Sequence, residues 1–265
     1  SIRFKAMVSA EELACGKSYA NIGTTKSTVS PRDFRFYVHN VRLVDAAGKE
    51  VAVDLKQDDK WQLDNLALLD FENATGSCAN GTPDTNASVI GTVPAGTRVA
   101  SLRFTLGVPF EKNHTDITRM PSPLNLTAMA WVWNVGRKFA RLDFSSKGVP
   151  RGYAIHLGST GCTPSETQTT VPTKCSEPNR VEVELKNFDP SKDVVLADLA
   201  ALLQDSNVDQ GTKMMSGCMS FPGTAACGPL FANFGLSYEK HPAKPQTFFR
   251  RGEANAVTAA TGDLR

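Results

Sequence analysis

The sequence predicts an all-β protein: an antiparallel β-sandwich or barrel, Greek-key-like, with long disulfide-stapled loops and little helix. Three observations carry that expectation. Short segments in which apolar and polar residues alternate recur along the chain, separated by polar stretches containing Gly and Pro. Apolar residues at helical spacing are scarce. Six cysteines stand at wide spacing, most of them among Gly, Ser, Thr and Pro, with no pair in a CxxC arrangement.

The elements follow in order. Ile2, Phe4, Ala6 and Val8 alternate with polar positions and predict a half-buried strand. Residues 34–44 (FRFYVHNVRLV) predict a second, and residues 51–55 pair with it across the turn DAAGKE. Further strands are expected over residues 98–106, 128–135, 138–144, 153–157 and 180–185. The best helix is LADLAALLQ, residues 196–204, with Asp193 as a cap for an earlier start. A short helical turn is expected within residues 60–69. Four long loops remain, at 72–94, 111–126, 158–179 and 204–231. Three of them hold cysteines and are read as stapled. The chain divides into one β domain over residues 1–238 and an extended C-terminal arm or tail over 239–265.

Composition excludes several classes. There are 29 basic and 27 acidic residues in 265, a net charge of +2, and no run of like charge, so nothing steers toward nucleic acid or anionic lipid. No stretch is long and apolar enough for a membrane span. The chain opens Ser1-Ile2-Arg3 and is expected to be a mature, exported chain whose leader has been removed. Oxidising surroundings follow from the cysteines. The expected bridges are Cys162–Cys175 and Cys218–Cys227 as local loops, leaving Cys15–Cys78 as the long one. No GxSxG, HExxH or nucleotide fingerprint is present.

Two kinds of residue stand out. His39 and His156 lie on strand faces opposite the apolar stripe, and His114 lies in a long loop. That distribution is a weak hint of a metal held from separate strands. His241, in the polar arm, is left out. Trp131 and Trp133 stand two apart in AMAWVWNV and would share one strand face with Met129 and Val135. Core packing explains such a pair, because an indole N–H is a donor only and cannot ligate a metal.

The run LRFTLGVPFEKNHTD, then PLNLTAMAWVWNVGRKFARLDF, HLGSTGC and GCMSFPGTAACGPLFANFGL resembles the MbnP family, spread over most of residues 1–238. These are periplasmic copper-binding proteins, also described as the four-Cys member of a metallo-mystery pair. The resemblance implies that the first Trp of WxW, Trp131, is oxidised to kynurenine and that Cu(I) binding depends on the change. Its unmodified neighbour is Trp133. The implied partner is MbnH, a di-haem MauG-like peroxidase, and with an intact Trp131 no cofactor is expected. His114 and His156 fall in the densest motifs and are the first choices as ligands, with His39 a candidate beside them. Met120, Met214, Met215 and Met219 are soft donors but more often core filler. Asp116 and Asp143 are the candidates to accept from the outer nitrogen of a ligating histidine. In a periplasmic chain the sequons at Asn73, Asn86, Asn113 and Asn125 are coincidence.

The expected function is therefore a non-catalytic copper-binding protein of copper homeostasis. Two alternatives stand beside it. One is a copper-dependent oxidoreductase, although residue 1 is Ser and no N-terminal histidine is present to form a brace with His39. The other is a metal-free β-sandwich binding module with an intact Trp131.

Overall fold

In the computed structural model, residues 1–79, 81–131, 135–163, 171–211 and 216–254 are described. Two sheets pack face to face. The larger runs Val181–Lys186, Ser101–Leu106, Arg35–Val44, Ala140–Arg141, Ala154–Leu157, Gly217–Cys218. Glu50–Ala52 and Leu66–Asp70 also pair with the long strand Arg35–Val44. The smaller sheet runs Ser88–Val89, Ile2–Val8, Asp193–Asp198, Phe249–Glu253. Between them lies an aromatic core. Phe4 of the smaller sheet meets Phe36 and Phe104 of the larger at 6.2 and 5.7 Å, and Phe249 meets the same two at 5.5 and 5.1 Å. Edge-to-face contacts at this spacing add to the burial of large rings.

The fold is all-β and sandwich-like, and neither sheet closes into a barrel. Pairing is mixed, because Ile2–Val8 lies parallel to Asp193–Asp198 and Ala154–Leu157 parallel to Gly217–Cys218. The hairpin across DAAGKE forms, with Arg42 opposite Ala52 and Val44 opposite Glu50, but it is shorter than expected, since Asp54–Leu55 pairs with Gly91–Thr92 instead.

Several expected elements change. The helix expected over 196–204 is a strand followed by a shorter helix. Asp193–Asp198 is buried throughout between two neighbours, and Leu199–Leu203 alone is helical. A short apolar run fits either state, and the two sheet neighbours decide it. The cap is Asp198, which accepts from the N–H groups of Ala200 and Ala201, not Asp193. Residues 60–69 hold a hairpin in place of a helical turn: Gln62–Leu63 pairs with Leu66–Asp70 around a two-residue turn whose Asp64 sits at φ 52°. The strand expected over 128–135 is also absent from its described part. Thr127–Met129 is a single 3-10 turn, and Ala130 bridges Arg137. The 204–231 loop contains the start of a helix that the sequence reading missed, Cys227–Phe234, ended by Gly235 at φ 87°.

All three disulfides pair as expected: Cys15–Cys78, Cys162–Cys175 and Cys218–Cys227. The arm beyond residue 238 contributes Phe249–Glu253 to the smaller sheet and buries Phe248 and Phe249, so the core of the β domain is completed from outside 1–238.

Candidate metal centre

His39 lies on the central strand, between Leu66 on one side and Thr105 on the other, where the register shifts and Asn40 takes φ 52°. The bulge turns this stretch of strand. The ring is half-buried, and its Nε2 is buried without a partner. Burial pushes its pKa down to about 4; the nearby Arg180 and Arg42 guanidiniums push the same way and Glu111 opposes them. The imidazole is therefore neutral at physiological pH, the state a metal ligand needs.

His156 comes from the strand Ala154–Leu157 and is buried. Its Nε2 lies 2.9 Å from Asp143 Oδ1. Burial alone would raise the Asp143 carboxyl, but the bond from His156 and the Arg141 guanidinium hold it below its usual range. A carboxylate only accepts, so Nε2 is the donor in this bond. The ring's Nδ1 is buried without a partner. A carboxylate fixing the outer nitrogen while the inner one is unclaimed is the usual setting of a ligating histidine.

His114 closes the short helix Phe110–Asn113 and is 2 % exposed. Its Nε2 lies 3.1 Å from Asn113 Nδ2, 3.4 Å from Cys175 Sγ and 3.8 Å from Cys162 Sγ. His114, Cys162 and Cys175 form the group among the described residues whose ligand atoms all lie within 4.8 Å of one another. Both sulfurs are bonded to each other, and the metal-binding form of cysteine is the thiolate. His39 and His156 are not part of that group.

Trp131 is half-buried. Its ring lies against Phe221, 5.6 Å between centroids, and its Nε1 is buried without a partner. A Cβ on Gly158 would stand 2.4 Å from Trp131 Cζ3, so the absent side chain at 158 is what admits the indole beside the end of the His156 strand. Arg137 is tied to the His114 turn. Its N–H donates to Asn113 Oδ1 at 2.8 Å, and its guanidinium donates to the carbonyls of Lys112, Asn113, Thr115 and Leu124. A Cβ on Gly136 would strike the Asn113 amide at 2.7 Å. Trp131 thus packs beside the end of the His156 strand, and Arg137 is bonded to the turn that carries His114. Glu111, in the helix that His114 closes, is close enough to act on His39.

A family model described as MbnP matches residues 1–220. The chain belongs to the MbnP family. Among solved structures, it is similar to MbnP from Methylosinus trichosporium, with a TM-score of 0.80 and 28% identity over 96% of this chain and 97% of that one. No curated protein matches.

Within this MbnP-family chain, the other residues marked in the sequence fall as follows. Trp133, Met214 and Met215 lie outside the described residues. Met120 packs against the core, and Met219 is half-buried next to the Cys218 bridge. Of the two candidate carboxylates, Asp143 meets a histidine; Asp116 instead accepts from Thr118 and pairs with Arg119 at the surface. The sequence reading missed Asn113, Arg137 and Gly158. All three sit inside the family-like motifs, but only tertiary packing shows what they hold. No helix among the described residues is long and apolar enough to cross a membrane.

Proposed function

We propose that this chain is a periplasmic Cu(I)-binding protein of copper homeostasis, itself not an enzyme, whose Trp131 is oxidised to kynurenine by the di-haem peroxidase MbnH. One observation supports the reading above the others. Of the six buried side-chain polar atoms without a partner among the described residues, three are His39 Nε2, His156 Nδ1 and Trp131 Nε1. Leaving one such atom unpaired costs about 1–3 kcal/mol. Three at residues that family resemblance nominates point to a site built for something other than packing.

The donor set fits copper. His39 offers a neutral imidazole nitrogen, His156 offers an inner nitrogen without a protein partner, His114 closes a helix, and Asp143 fixes the His156 ring. The indole is the misfit, since its nitrogen carries a proton and has no lone pair to give. In kynurenine that nitrogen becomes a neutral aryl amine. The conversion inserts two oxygen atoms, a four-electron oxidation for which peroxide is the oxidant, and then hydrolyses off the former indole carbon as formate. Copper bound at this set would be Cu(I), a soft monovalent ion that needs no carboxylate among its ligands.

The test is peptide mass spectrometry after treatment with MbnH and peroxide. Residue 131 should gain about 4 mass units, one oxygen gained for one carbon lost, while Trp61 stays unchanged. An unaltered Trp131 in the presence of active MbnH overturns the proposal.

A further inference from the structure

We infer that reduction of the Cys162–Cys175 disulfide creates a second soft-metal site, formed by both thiolates and His114. Three observations meet here. Cys162 and Cys175 stand directly opposite each other on the two-stranded hairpin Thr160–Thr163 and Lys174–Glu177. Both are half-exposed, whereas Cys218 and Cys227 are 2 % and 0 % exposed and Cys78 is 1 % exposed. Of the three bridges, this one is the most open to a thiol reductant on both sulfurs. It is also the bridge that carries a buried histidine nitrogen against its sulfurs, at 3.4 and 3.8 Å.

Those two separations match the work a metal would ask of them. Nitrogen and sulfur ligands about a tetrahedral ion stand roughly 3.5 Å apart, from metal–ligand bonds of about 2.0 and 2.3 Å. The nitrogen already holds that distance to each sulfur; the sulfurs have to part and the Asn113 Nδ2 contact to the same nitrogen, at 3.1 Å, has to give way. The chemistry balances with an external dithiol. Two electrons and two protons pass to the protein bridge, the dithiol closes to its own disulfide, and each cysteine thiol then releases its proton on binding the ion. Two thiolates and an imidazole favour Cu(I) or Zn(II) over hard cations. His114 is shared with the copper site proposed above, so a metal on the thiolates would compete with that site for its nitrogen. The inference itself does not need kynurenine and stands or falls separately.

The experiment therefore uses the full chain carrying Trp131→Phe, which cannot form kynurenine. Limited dithiothreitol under anaerobic conditions, followed by alkylation mapping, should open Cys162–Cys175 first. After the reductant is removed, Cu(I) is titrated against a chromophoric Cu(I) chelator. The expected result is one Cu(I) per chain retained with a thiolate-to-copper ultraviolet band, absent before reduction. His114→Gln in the same background should weaken retention about tenfold or more. Cys162→Ser with Cys175→Ser should abolish it; if that variant does not fold, iodoacetamide-capped reduced protein should show the same loss. Earlier opening of another bridge, no copper retained after reduction, or retention unchanged by capping would each overturn the inference. An unchanged affinity in His114→Gln would remove His114 from the site and overturn it as stated.

Discussion

At the scale of single residues, His39 and His156 show how a fold keeps an imidazole available. His39 titrates at about 4 when folded and near 6.5 when unfolded. Between those values the unfolded chain binds a proton that the folded chain refuses, so stability falls as pH drops from about 6.5 to about 4. The ceiling on that loss is roughly 3 kcal/mol. Urea unfolding at pH 7 and pH 4.5 should show it, and His39→Gln should flatten the difference while the rest of the acid dependence persists. For His156 the control lies one residue out. Asp143→Asn keeps the shape but lets the outer nitrogen lose its fixed acceptor, so Cu(I) affinity of the converted protein should fall about 10–100-fold with the fold intact. A competition titration checks it. The pairing of Asp143 with a histidine was legible only as a possibility, because the two are separated by a turn whose path the sequence does not reveal. His39 and His156 were legible as polar residues on otherwise apolar strands, and their orphaned nitrogens are the physical counterpart of that mismatch.

At the scale of elements, Trp131 and Arg137 are held by side-chain contacts in addition to the backbone bridge between Ala130 and Arg137. Gly158→Ala should force the Trp131 ring to move, since its new methyl would meet Cζ3 at 2.4 Å and the Arg137 carbonyl oxygen at 2.9 Å. Overpacking of this kind costs about 1–3 kcal/mol. The thermal midpoint should drop, and the indole emission should shift in the variant that keeps Trp131 as its only altered surrounding. Arg137→Met should loosen the His114 turn, because four carbonyls lose a donor together. The strands with alternating residues were readable because one face of each is buried, as in Val181–Lys186 with its strict inside–outside order. The unreadable elements were those set by neighbours. Asp193–Asp198 carries apolar residues on both faces, so its period is lost, and residues 127–129 form a 3-10 turn in which Met129 N–H donates to Leu126 and Ala130 N–H to Thr127.

At the scale of the whole molecule, the core is a sandwich whose second sheet is finished by the C-terminal arm. Phe248 is fully buried and touches Phe34, Phe36 and Phe234. Phe248→Ala should cost about 3–5 kcal/mol, and a chain ending at residue 238 should show no cooperative unfolding transition by circular dichroism. Of the residues proposed for copper, His39 lies at a strand bulge and His114 at a helix end, while Trp131 packs against Phe221, which is 42% exposed. The proposed function depends on the chemical state of that one ring. The direct measurement is the Cu(I) affinity of two preparations of the oxidised-disulfide protein, one with Trp131 intact and one converted by MbnH, each titrated against the same chelator. At least a hundredfold tighter binding by the converted protein is expected; equal affinity in the two would contradict the account.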